Sequence, residues 1–171
     1  MREKNTIITY LYESPCGTLL LGSMGDKLCL CDWQTERHRN QVANRLRRVL
    51  DARFVSGTSP VIEKAVSDLN EYFTGKREEF DIPLLFVGTE FQKKIWNALR
   101  TIPFGKTVSY AGIARLIGMP KAVRAVANAN GANAISIFAP CHRVIGSDHT
   151  LTGYGGGIKT KQFLLELENA I

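Results

Sequence analysis

At 171 residues, 44% hydrophobic and 22% charged, the chain has the apolar content for one large packed core or two small ones, which excludes a disordered or low-complexity polymer. No stretch approaches the ~18 consecutive apolar residues of a membrane span. Met1-Arg2-Glu3-Lys4-Asn5 leads into strand-like sequence and not into a secretory leader, so a cytoplasmic location is expected. The net charge of +6 is unevenly placed. Residues 1–88 hold twelve Lys/Arg and twelve Asp/Glu, whereas residues 89–171 hold ten Lys/Arg against Glu90, Asp148, Glu166 and Glu168. A basic half joined to a neutral one points to a polyanionic partner for the basic half.

Residues 6–12 are rich in β-branched and aromatic side chains and predict a strand. Ser14-Pro15-Cys16-Gly17 is a turn, and residues 18–23 and 27–33 predict two further strands around Gly25-Asp26. Cys29 and Cys31 then share one strand face as half-buried positions. The four cysteines, Cys16, Cys29, Cys31 and Cys141, contain no CxxC pair, so neither disulfides nor a zinc site is expected. Residues 40–50 predict an amphipathic helix, with Val42, Leu46, Val49 and Leu50 inward. Its Arg45, Arg47 and Arg48 fall on the wet side, partly offset by Glu36 and Asp51. Ser59-Pro60 sets an N-cap and a first-turn proline, and Val61, Ile62, Ala65, Leu69, Tyr72 and Phe73 carry the helix to Gly75. Residues 80–85 return to strand-like composition. Nothing in this half carries chemistry, which makes it a scaffold or cover, and Val87-Gly88-Thr89 is the expected boundary between domains 1–88 and 89–171.

The second half opens on a helix with Phe91, Ile95, Ala98 and Leu99 on one face, ended by Pro103-Phe104-Gly105. Ser109 caps a short helix over residues 110–117, Gly118-Met119-Pro120 turns the chain, and residues 121–130 form a second helix. Two short helices joined by such a turn are a helix-turn-helix signal. In the second helix Val123 and Val126 face the core, leaving a slim wall of alanine and asparagine, Ala125 and Ala129 included, that carries Arg124. Small side chains suit close approach to the minor groove, which is poor in sequence information. A last helix over residues 161–169 turns Phe163, Leu164 and Leu167 inward.

Between these helices, the strand-like run Ile135-Ser136-Ile137-Phe138 delivers Pro140-Cys141-His142-Arg143-Val144. The thiolate is the reactive form of cysteine, and adjacent His and Arg are the residues that lower a thiol pKa. Cysteine beside a base is the minimum kit for nucleophilic catalysis. Three readings remain open on these residues alone: a buried structural cysteine, a cysteine hydrolase, and a noncatalytic helix-turn-helix regulator in which Cys141 has no chemical task. No phosphate-binding or dinucleotide motif occurs, so no cofactor is expected.

Pro-Cys-His-Arg-Val, with Asn133 ahead of it and Gly153-Tyr154-Gly155-Gly156-Gly157 behind, resembles the O6-alkylguanine-DNA alkyltransferases of the constitutive bacterial type. The likeness is close from about Thr89 onward and looser before it. It implies an α+β chain: a small ribonuclease-H-like α/β domain, then a helical, winged-helix-like domain with the helix-turn-helix. It implies repair of O6-alkylguanine (and O4-alkylthymine in some members) in double-stranded DNA, after nucleotide flipping, by irreversible transfer to Cys141. Neither a membrane nor an obligate protein partner is implied. By the same resemblance His142 is the base acting through water, Glu168 orients it, and Asn133 braces the turn. Arg124 enters the base stack, and Tyr110 contacts the base and the adjacent phosphate. Val144, Tyr154, Gly155 and Gly156 line the pocket, while Arg143 holds the cysteine loop. Two positions depart from part of the family: residue 155 is Gly where Ser is common, and residue 130 is Asn where some members are apolar. A damage sensor of the alkyltransferase-like kind lacks the cysteine present here.

Overall fold

The computed structural model describes residues 5–35 and 41–171. The opening Met1–Lys4 segment, and Glu36 and Asn40 of the first helix reading, lie outside the described residues. In chain order the elements are β1 (Asn5–Ser14), β2 (Gly17–Met24), β3 (Lys27–Trp33), α1 (Gln41–Leu50), β4 (Ala52–Ser56), α2 (Pro60–Phe73) and α3 (Glu90–Leu99). There follow β5 (Val108–Ser109), α4 (Tyr110–Leu116), α5 (Val123–Gly131), a 3-10 turn (Cys141–Arg143), β6 (Val144–Ile145) and α6 (Ile158–Leu167). This is the α+β arrangement expected from the sequence: a sheet with helices, then a helical half.

Four strands form one sheet in the order β3-β2-β1-β4, with β1 antiparallel to β2, β2 antiparallel to β3, and β4 parallel to β1. Alternation along β1 and β2 buries Ile7, Leu19 and Leu21. Against them lie Val61, Ile62, Ala65 and Leu69 of α2, whose N-terminus is held by Ser59 Oγ accepting from the Ile62 amide. Strand β4 escaped the sequence reading because it is five residues long and mostly exposed, so it carries no alternating apolar signal. Conversely, residues 80–85 are not a strand but form a single parallel bridge, Leu28 to Leu84.

Strand β3 corrects a further expectation. Cys29 and Cys31 are wholly buried, and so is nearly every residue of the strand. The reason is tertiary: its outer edge, which would otherwise face solvent, is taken by the chain at two points. The Leu28 amide donates to Pro83 O and the Cys31 amide to Ala134 O, while Leu85 and Ser136 donate back. The sheet of the first half thus continues into the segment that leads to Cys141. Ile135 makes only one bridge there before the chain turns, with Ile137 at φ 72°, so the strand expected over residues 135–138 is a bridged turn.

In the second half, Thr89 and Gln92 form a reciprocal capping box at the start of α3. Its buried face is Ile95, Trp96 and Leu99, so Trp96 replaces Ala98 as a core residue, donating its indole N–H to Ala129 O. Gly118, at φ 75°, supplies the left-handed residue that ends α4, and α5 follows across the turn. Strands β5 and β6 pair in parallel and tie the start of α4 to the residues just after Cys141.

Candidate active site

Cys141 opens the 3-10 turn, and the turn is set by one asparagine. Asn133 accepts from the Ile135 amide through Oδ1 (3.0 Å) and donates through Nδ2 to Ala139 O (2.9 Å), closing the loop that ends at Pro140. Asn130, the last inward residue of α5, donates to Cys141 O at 3.3 Å, and its Oδ1 is buried without a hydrogen-bond partner. The thiol therefore sits on a turn braced directly against the end of α5.

Behind Cys141 lies a closed network of charge. His142 is fully buried, and its Nε2 lies 2.8 Å from Glu168 Oε2 at the end of α6. Arg143 donates Nε to Glu168 Oε1 (2.7 Å), one Nη to Oε2 (3.0 Å) and the other Nη to Ile102 O (2.7 Å). Arg143 thus pins the cysteine turn to α6 and to the chain leaving α3. Burial pushes the Glu168 carboxyl up, but His142 and Arg143 outweigh it and hold it at about 2, so it is ionised. A carboxylate only accepts, which makes Nε2 the donor and leaves the lone pair of neutral His142 on Nδ1. That nitrogen is buried and has no hydrogen-bond partner. Burial lowers the His142 pKa against the upward pull of Glu168, which favours the neutral ring. The ring is thus oriented by its carboxylate, with Nδ1 free to accept a proton.

The thiol is not activated in the way its sequence neighbours suggested. His142 and Arg143 turn to Glu168, and burial raises the Cys141 pKa. Asn133, the Lys161 ammonium and Ser136 oppose that rise. Lys161 had no role in the sequence reading, yet it is fully buried and donates Nζ to Val144 O (2.7 Å) and Thr152 O (3.4 Å). Its own pKa falls to about 8 through burial, opposed by Cys141. The helix period could have found it: Thr160, Lys161, Leu164 and Leu165 are the inward residues of α6, with Glu168 next on that stripe. Phe163, expected inside, lies off the stripe and is exposed.

The cavity beside Cys141 measures about 20 Å³ and is lined by Asn130, Asn133, Ser136, Tyr154, Gly155 and neighbouring glycines. It holds roughly one water-sized sphere, so a purine enters only if the wall moves. Of the four residues expected to line the pocket, Tyr154 and Gly155 line this cavity in its closed form and Val144 and Gly156 lie off it. Val144 is buried in the β5–β6 pair, and Gly156 backs onto the Trp33 ring, where a Cβ would come within 2.9 Å. Tyr110 Oη is 2.5 Å from Thr152 Oγ1, next to the cavity wall. A larger depression of about 560 Å³ lies on the other side of the turn, where Arg143 and Phe104 line it and Cys141 does not.

On α5, Arg124 and Ala125 are exposed together with Val123 and Asn128. Ala129 was placed on that outer wall but is 3% exposed. The 3.6-residue period groups it with Val126 and Asn130 on the inward face, while Val123, one turn earlier, stands beyond the core. The first half reaches the site at several points. Trp33 donates to Tyr154 Oη (2.9 Å), Thr35 to Gly155 O (2.9 Å), Arg45 to Ala132 O (2.7 Å) and Tyr72 to Glu168 Oε2 (2.5 Å). Arg45 therefore leaves the wet side assigned to it, and Val49 takes an exposed position instead. Among the described residues no three His, Cys, Asp or Glu side chains converge as metal ligands. Nor is any helix among them long and apolar enough to cross a membrane.

Known proteins share this arrangement. The methylated-DNA–protein-cysteine methyltransferase of Mycobacterium tuberculosis is 58% identical over 106 residues, 62% of this chain and 64% of that protein, so the aligned stretch falls short of two thirds of the relative's length. The Methanosarcina acetivorans protein of the same name is 41% identical over 160 residues, 94% of this chain and 97% of its own. The crystal structure of Mycobacterium tuberculosis OGT in complex with DNA superposes with a TM-score of 0.80 at 43% identity, covering 96% of this chain and 93% of that one. Residues 7–86 match the family model of the 6-O-methylguanine DNA methyltransferase ribonuclease-like domain, and residues 90–170 match that of its DNA-binding domain. With sheet, helix pair and cysteine turn all inside those matches, the chain belongs to the 6-O-methylguanine DNA methyltransferase family.

Proposed function

We propose that this chain repairs O6-alkylguanine in double-stranded DNA by moving the alkyl group irreversibly onto Cys141. The observation that carries the reading is the buried thiol on a turn backed by the Glu168–His142 pair and joined directly to exposed, arginine-bearing α5. A stacked base cannot reach a buried sulfur, so the nucleotide must leave the duplex. Arg124, on the exposed face of α5 with Ala125, fills the gap. The flipped base displaces the wall at Gly153–Gly155 and meets Tyr154, with the Gly155 amide as donor toward O6.

His142 Nδ1 takes the thiol proton through one water. The sulfur–carbon bond forms as the O6–carbon bond breaks, and a proton returned from Tyr110 or solvent neutralises the departing guanine. The product thioether has no resolving thiol and is not open to thiol–disulfide exchange, so each chain acts once. A cysteine hydrolase fits less well, because the whole cysteine turn lies inside the match to the family's DNA-binding domain, residues 90–170. A division at residues 88 and 89 belongs to the same proposal, supported by family models that end at 86 and begin at 90. Cytoplasmic location is supported by four free thiols, as a reducing compartment keeps them.

The test is incubation with duplex DNA carrying labelled O6-methylguanine. One methyl per chain is expected on the Cys141 peptide, and none in Cys141→Ser. Continuous turnover, or label accepted by the serine variant, overturns the reading.

A further inference from the structure

Glu168 Oε2 is the most heavily used acceptor in the site. It takes His142 Nε2 at 2.8 Å, an Arg143 Nη at 3.0 Å and, from the other half of the chain, the Tyr72 hydroxyl at 2.5 Å. Tyr72 lies in the last turn of α2, 96 residues away in sequence from its acceptor, and is 1% exposed. Its ring is packed on three sides, edge-on to Phe73 (5.1 Å) and Phe104 (6.5 Å) and tilted on Phe80 (5.7 Å). The ring is thus locked, and the hydroxyl has one fixed direction. A tyrosine serving only as core filling would be matched by phenylalanine; this one spends its polar atom on the carboxylate that orients the base.

We infer that Tyr72 is a positioning residue of the Cys141 machinery: its hydroxyl shares Glu168 Oε2 with His142 and sets how much of the carboxylate's charge the imidazole meets. Each donor on a carboxylate oxygen disperses its charge, and hydrogen bonds to ionised groups are the strong ones. Arg143 neutralises one side of Glu168 and Tyr72 caps the oxygen facing His142, so the carboxylate orients Nε2–H without holding a proton on Nδ1. The half of the chain that looked like a cover therefore tunes the base. Among the described residues, the charged groups that act on His142 are Glu168 and Lys161 from α6 and Arg143 from its own turn, and Glu168 in turn meets Tyr72 from α2, which has Cys16 near it. Of the residues bonded to Glu168, Tyr72 lies in the N-terminal half.

This inference rests on His142 being the base for Cys141, and its test needs no DNA. The three histidines are titrated by NMR in the full chain, with His142 assigned by the loss of the other two signals in His38→Gln and His149→Gln. Tyr72→Phe keeps the ring packing and removes one donor from Oε2. Glu168 then shows more charge to the imidazole, the imidazolium is stabilised, and protonation of His142 moves to higher pH. On the wild-type acid limb the charged fraction of His142 rises about three- to tenfold, less than the full value of a hydrogen bond to a charged group, because the Tyr72 bond is made in both states of the imidazole and only the difference is read. Thermal melts run alongside, since a purely structural tyrosine would lower the melting temperature and leave the His142 titration in place. That result, a shift to lower pH, or a His142 that stays neutral across the range in both proteins, overturns the inference. Failure of methyl transfer in the wild type would instead sink the repair reading, and the titration would still decide the place of Tyr72.

Discussion

At the residue scale, two of the buried charges at the site, Glu168 and Lys161, respond to burial with different outcomes. Glu168 is ionised because His142 and Arg143 overcome its burial, whereas burial drives Lys161 down to about 8 against the opposing pull of Cys141. A buried ammonium is tolerated here because two carbonyls, Val144 O and Thr152 O, accept from it, and these join the cysteine turn to the loop at the cavity. Its sign in stability follows from linkage. The folded-state value of about 8 lies below the ordinary 10.5, so between these two the unfolded chain binds more protons, and stability rises with pH across that window. Replacing Lys161 with Met should flatten the rise, seen as melting temperatures that no longer climb from pH 8 to 10.5 relative to wild type. The Cys141 thiol should also become less acidic, because the Lys161 charge counters its burial; iodoacetamide alkylation followed against pH reads that change.

Helix α5 shows how one element serves two surfaces. Its inward stripe, Val126, Ala129 and Asn130, packs on Trp96 and the cysteine turn, and its outward stripe offers Arg124 among small side chains. Any rotation of α5 would move Asn130 and Asn133, and with them Cys141, so the surface proposed to meet DNA and the turn that holds the thiol move together. Arg124, exposed and away from the cavity, should matter for flipping and not for chemistry. Arg124→Ala is expected to slow repair in duplex DNA by roughly ten- to a thousandfold, since unstacking costs a few kcal/mol and each ~1.4 kcal/mol is a factor of ten. Reaction with the free base O6-benzylguanine should hardly change, and Arg124→Lys should recover little because an ammonium lacks the planar face that stacks on bases. Equal loss in both assays would place Arg124 in the fold instead.

Across the whole molecule the two halves divide the labour by charge and share the site by contact. The excess of +6 lies in residues 89–171, on the half that carries α4 and α5. Undamaged duplex should therefore bind weakly, with little sequence preference, and with an affinity that falls as salt rises, the logarithmic slope growing by about 0.9 for each phosphate contacted. Titrations of wild-type protein at several salt concentrations check this, and a salt-independent affinity would contradict it. The neutral half supplies the frame: β3 bonds to Ala134 and Ser136, Trp33 to Tyr154, Thr35 to Gly155, Arg45 to the end of α5, and Tyr72 to Glu168. Loosening the sheet would thus reach the cavity through its walls.

What the chain spells out locally was legible without coordinates. The three N-terminal strands, α2 with its Ser59 cap, α3 behind Thr89 and the helix pair around Gly118 are each written in adjacent residues, because periodicity and capping act over one to four positions. Cys141, His142 and Arg143 are contiguous, so their motif could be read directly. Glu168, 26 residues from His142, entered only through the family resemblance. Tertiary structure alone decided the rest. Strand β3 is buried because distant segments pair with its outer edge and pack into the same core, Ala129 faces inward because Trp96 waits there, and Lys161 is buried because the cysteine turn and the cavity loop fold over it. Tyr72 reads in sequence as one more apolar position on α2. Whether its hydroxyl meets solvent, a backbone carbonyl or a buried carboxylate depends on how two halves of the chain pack, and no local pattern encodes that packing.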